Sequence, residues 1–102
     1  MTTTNIDRLA RYRPEAMPDV PEHLRDGLSL YIVHGYQPGH FLTAVLENNL
    51  FEAMARGDRA SLAGLHGLVS WIYNRAPFDC HGSPAKVTAW LKSGGLEEVA
   101  HG

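Results

Sequence analysis

The sequence predicts an all-α protein, a compact bundle of about four helices with two Gly/Pro-rich loops. Three observations carry that prediction. Apolar residues recur three and four positions apart in four separate stretches. Those stretches start and stop at residue types that cap helices. No window alternates apolar and polar residues over a strand's length with turns on both sides.

Residues 1–20 contain Pro14 and Pro18 and no sustained period. They read as an arm, flexible or docked on the domain or on a partner, with a short helix over Ile6–Tyr12. Residues 21–95 form the helical domain and 96–102 a frayed tail. The first helix begins at Pro21, because proline lacks the N–H that a first turn leaves unbonded. Leu24, Leu28 and Tyr31 make its stripe, and Gly35 is its left-handed cap. Gly35–Gly39 is a turn in which Pro38-Gly39 favours type II geometry, with positive φ at Gly39. The second helix runs from His40 to Arg56 on a stripe of Leu42, Val45, Leu46, Asn49, Leu50 and Ala53. It is apolar over most of its girth, which predicts a central position. Gly57 ends it and Asp58 caps the third helix, Arg59–Asn74. Leu62, Leu65, Val69 and Ile72 are the stripe of that third helix, and His66 beside them reads as half-buried. Gly64 and Gly67 weaken it by about 1 kcal/mol each relative to alanine, unless they admit a neighbouring helix at close range. A second irregular stretch, Ala76–Gly82, leads to Ser83-Pro84, an N-cap followed by a first-turn proline. The fourth helix ends near Lys92, with Val87, Trp90 and Leu91 inward.

Composition excludes several function classes. The chain has 102 residues, enough for one domain. Nine Lys and Arg against eleven Asp and Glu leave a net charge of −2, which argues against non-specific nucleic-acid binding. No apolar run approaches the roughly 18 residues of a membrane span. The polar start, Met1–Asn5, predicts no secretory signal, hence a cytoplasmic location. The single cysteine, Cys80, excludes an internal disulfide.

Two loops carry the ligand chemistry. Gly35-Tyr36-Gln37-Pro38-Gly39-His40 delivers free backbone N–H groups to a helix start, where a partial positive charge suits phosphate or carboxylate. Phe78-Asp79-Cys80-His81-Gly82-Ser83 does the same at the fourth helix. If the loops meet, Tyr36, Gly39, His40, Asn49, His81 and Ser83 surround one anion site. Each loop also has a plainer reading, favoured by how common such turns are in bundles. The first is then a hairpin turn with His40 solvated, the second a packed loop with Phe78 in the core and Ser83 only capping. The six histidines, His23, His34, His40, His66, His81 and His101, lack metal-ligand spacing, so neither a metal nor a cofactor is expected. Cys80 beside His81 lacks a triad's arrangement and reads as a small buried filler, so no catalytic residue is expected. Glu47 reads as solvent-facing. Asn49 lies within an apolar stripe, so its amide must bond a loop backbone, a ligand or a partner subunit. Trp90 belongs to the core. Trp71 falls off its stripe and is either the edge of the core or a contact surface. Phe51 and Trp71 are therefore the candidate partner-binding residues, and a homo-oligomer that covers them is expected from a domain this small.

The segment His34–Leu50, with Tyr73-Asn74-Arg75-Ala76-Pro77 and Gly82–Val87, resembles a family of short proteins from phages and prophages of proteobacteria. The resemblance covers about residues 21–95 and implies a context, the bacterial host's cytoplasm, rather than an activity. In that family the position of His40 is commonly glycine, that of Asn49 aspartate and that of His81 aromatic. The departure at both histidines weighs against a histidine mechanism and toward loop backbone and shape.

The resulting expectation is a non-enzymatic accessory binding protein. It captures an anionic, nucleotide-like ligand, a role that suits counteracting host defence. The alternative is an interaction module that inhibits or scaffolds a host or phage protein through an apolar patch.

Overall fold

The structure, a computed structural model, describes residues 9–97, and every regular element in that range is helical. Among the described residues, six complete α-helices follow one another: α1 (Glu22–His34), α2 (His40–Leu46), α3 (Leu50–Arg56), α4 (Arg59–Ala63), α5 (Leu65–Arg75) and α6 (Pro84–Ser93). Two 3-10 turns, Pro14–Ala16 and Phe78–Cys80, precede α1 and α6. Among the described residues, no helix is long and apolar enough to cross a membrane.

The C-terminal cap of α1 and both caps of α6 form as the sequence predicts, whereas Pro21, expected inside the first turn, is an extended N-cap at ψ 135. Pro21 precedes α1, and Gly35 closes it at φ 69, donating its N–H to Tyr31 O at 2.9 Å. Ser83 Oγ accepts from Lys86 N at 3.2 Å, with Pro84 in the first turn, and Gly94 ends α6 at φ 82. Asp58 caps α4 by accepting from Ser61 N at 2.8 Å.

The second and third helices each divide in two. The single helix expected over His40–Arg56 breaks after Leu46, where Asn48 adopts φ 62. Asparagine tolerates that left-handed geometry because its short amide bonds locally. Asn49 then starts α3 as its cap, accepting from Glu52 N at 3.2 Å. Asn49 is therefore exposed and satisfied within its own turn, not buried in a stripe. The expected third helix breaks at Gly64, where a Cβ would overlap Pro21 Cγ. Gly67 faces Asp19 O equally closely. The neighbour that these glycines admit is the chain leading into α1, not another helix.

That chain is part of the core. Met17 is fully buried and Val20 nearly so. The described part of the expected arm, residues 9–20, thus docks on the domain; the rest of the Ile6–Tyr12 helix and His101 lie outside the described residues. The indole N–H of Trp71 donates to Ala16 O at 3.2 Å, and Trp71 is buried. Its expected role as a contact surface is corrected here, because the N-terminal segment covers it. Helix α1 contributes three fully buried side chains, Leu28, Tyr31 and Ile32. Helix α2 contributes Leu42 and Leu46, but α3 buries only Ala53, so the central position expected for residues 40–56 holds for its first half alone. Trp90 is in the core as expected, donating to Tyr31 O at 3.0 Å.

The buried stripe of α5 is Leu68, Trp71 and Ile72. Val69, expected inside, and Tyr73 face outward, and His66 is exposed rather than half-buried. Docking of residues 17–21 rotates the inner face of α5 away from the stripe with the strongest period. The short Leu96 turn also packs on the core, beside a 2.5 Å contact between His34 Nδ1 and Glu97 Oε2.

Candidate functional site

The two loops do not form one site. Gly82 N donates to Leu46 O at 2.7 Å, which puts the second loop at the C-terminal end of α2. Gly39 and His40 sit at the opposite end. A seven-residue helix separates the two, a rise of about 10 Å. Tyr36 stacks on His34, with ring centroids 5.4 Å apart, and Gly39 and His40 are exposed. Gly39 has φ −66, so the expected type II turn with positive φ is not present; the residue is an extended N-cap instead. Tyr36, Gly39 and His40 are thus corrected out of any site shared with His81 and Ser83.

The side chains test the same geometry. A Cβ on Gly39 would meet nothing within 4 Å, so Gly39→Ala is expected to leave the melting temperature within a degree or two. Ser83→Ala removes the cap of α6 and should cost about 1 kcal/mol. Thermal unfolding of the two variants checks both.

A different site is built on the other side of the second loop. Helix α3 packs chiefly against α2 and stands apart from α5. The gap between them is an open groove of about 500 Å³. Leu50 and Ala53 line one wall, Leu65, Val69 and Tyr73 the other, and Val45 and Ile72 the bottom. Phe78 closes one end with His81, Lys86, Asn48 and Asn49. Its volume is within the range of ligand and peptide pockets, and its walls are apolar. Of the expected ligand residues, the groove brings together Asn49 and His81; Ser83 stays a cap. Phe51, expected to bind a partner, is 87% exposed on α3 beside the groove. Phe78, expected in the core under the plainer reading, is 76% exposed.

Val69, Tyr73, Phe78 and Lys86 were not singled out for binding by the sequence pattern. The available signal was the girth of α5, which carries more apolar residues than one buried face can use. Lys86 holds its ammonium 3.6 Å from the Phe78 ring centre and donates to Phe78 O at 3.4 Å. That contact orients both side chains at the end of the groove.

The titratable groups near this end have clear electrostatics. Burial pushes the Cys80 thiol up to about 12, which removes the thiolate a nucleophile would need. Tyr31, which donates to Cys80 O at 2.6 Å, is also raised, chiefly by burial. Burial, and secondarily the Lys86 charge, lowers the pKa of His81 below the usual 6.5. The unfolded chain therefore protonates at a higher pH than the folded one. His81 supports the fold fully above pH 6.5, and that support is lost as pH falls through 6.5 toward the depressed folded value. Urea unfolding at pH 7.5 and 5.5 should show a smaller loss of stability for His81→Gln than for the wild type. Among the described residues, no group of three or more His, Cys, Asp or Glu side chains is placed to hold a metal.

Comparison with protein-family models, with curated proteins and with solved structures finds no match for this chain.

Proposed function

We propose that this protein is a small, non-enzymatic interaction module that engages another protein through the face formed by α3, α5 and the Phe78–Cys80 turn. One observation carries the reading. Leu50, Phe51, Tyr73 and Phe78 are 60%, 87%, 79% and 76% exposed, and they lie along or beside a single apolar groove. Contiguous exposed apolar surface of this kind marks interaction sites, and aromatic residues supply much of the binding energy where it is covered. The buried, high-pKa thiol of Cys80 supports a role without covalent chemistry. The resemblance to phage and prophage proteins supports a host or phage protein as the partner, inhibited or scaffolded by stoichiometric binding.

Capture of an anionic, nucleotide-like ligand is the second reading. It retains one supporting observation, the gathering of Asn49, His81 and Lys86 at one end of the groove. The apolar walls favour the first reading, because a nucleotide's phosphates and sugar would be desolvated there with one ammonium to compensate.

Affinity capture from lysate of a proteobacterial host tests the proposal, using the wild type and Val69→Glu. Val69 is 45% exposed in the groove wall, so the variant should fold while placing a charge in the binding face. A partner retained by the wild type and lost by Val69→Glu is expected. Equal recovery by both proteins would reject the groove as the interaction face.

A further inference from the structure

We infer that the groove receives an amphipathic α-helix of the partner, with its apolar face against α3 and α5 and a carboxylate side chain at the Lys86 end. This deepens the proposed function and rests on the groove being the interaction face.

The shape argues for a helix. Leu65, Val69 and Tyr73 recur every four residues along α5 and face Leu50 and Ala53 across the gap. From Leu65 to Tyr73 the wall is about 12 Å long, at 1.5 Å per residue. That is close to the roughly 10.5 Å between residues i and i+7 of a helix, the span of its apolar anchors. Two helices that stand apart with apolar flanks present the grooves into which a third helix packs its ridges. An extended strand would instead need an unpaired backbone edge to bond, and the described residues contain only helices, turns and loops, with no strand.

The charges argue for an acidic end. The chain has more Asp and Glu than Lys and Arg, yet no described carboxylate lines the groove. Lys86 is the one formally charged residue in its lining, and it stands at the end closed by Phe78 and His81. Asn48 and Asn49 flank that same end and add amide groups that can donate to a carboxylate. A basic residue there would face the Lys86 ammonium with no carboxylate in the lining to offset it.

The test is a selection from a random 16-residue peptide library against the full-length protein, with counter-selection against Val69→Glu. The expected enriched peptides carry apolar residues three, four and seven positions apart, with Asp or Glu adjoining one end. Their affinity should fall at least fivefold against Lys86→Met. Exchange of the peptide's acid for lysine should weaken binding to the wild type and restore it against Lys86→Glu. An extended, proline-rich consensus would overturn the helix, and a consensus indifferent to Lys86 would overturn the acidic end. A concentration-dependent doubling of mass that Val69→Glu abolishes would instead give the groove to a second copy of the chain. If no peptide depends on Val69 while lysate capture still does, the helix fails and the interaction reading stands. If neither depends on Val69, both fall.

Discussion

Deletion of residues 1–20 is expected to abolish cooperative folding at ordinary temperatures. Met17 and Val20, at 0% and 1% exposure, are as deeply buried as any side chain in the helices. Burying a side chain of that size contributes about 1.5–3 kcal/mol. Removal would also uncover Trp71, take away the carbonyl of Ala16 that its indole N–H bonds, and expose the face of Gly67 that Asp19 covers. The summed loss, of order 5 kcal/mol or more, is comparable with the whole stability of a domain this size. Met17→Ala isolates the packing component and should cost about 2–5 kcal/mol, whereas Met17→Leu, nearly equal in volume, should cost under about 1.5 kcal/mol. Circular dichroism during heating reads all three. A deletion variant that melts cooperatively within a few degrees of the full chain would show that the segment is dispensable.

Gly67→Ala is expected to destabilise the protein by about 2 kcal/mol, although helix propensity alone predicts a gain of about 1 kcal/mol. The contact with Asp19 decides the sign. A Cβ on Gly67 would overlap the Asp19 carbonyl oxygen, which is backbone and cannot rotate aside. The chain between Met17 and Pro21 would have to lift, and Val20 would lift with it. Gly27→Ala is the matched control in the middle of α1. Its Cβ would meet Leu42 Cδ1 at an ordinary 3.6 Å, so the propensity gain should survive and stabilise by up to about 1 kcal/mol. Opposite signs for one substitution in two helices are the expected result, read from denaturant unfolding. A gain at Gly67 would mean that residues 17–21 are not held against α5.

Local chemistry made much of the helical framework legible. Gly35, Asp58, Ser83 and Pro84 act where their side chains and backbone preferences place them, because capping is settled within four residues. The breaks at Asn48 and Gly64 were less legible. Each sits inside a continuing apolar pattern, and periodicity does not register a single left-handed residue or a glycine pressed by a distant proline. The candidate site was legible only in fragments. Asn49, His81 and Phe51 were identified one by one, for reasons of amide burial, loop position and girth, but their common location depends on how α2 separates the loops.

By itself the sequence determined the helical class, the ends of α1 and α6, the burial of Cys80 and Trp90, and the excess of apolar surface on residues 40–75. These follow from residue types and short spacings, which act within a turn or two of chain. Only the tertiary structure decided which apolar face of α5 is inside. Met17 and Val20, some fifty residues away, occupy one face and leave Val69 and Tyr73 to wall the groove. Burial is a property of pairs of surfaces, and the partner surface in that pair came from a segment with no period of its own.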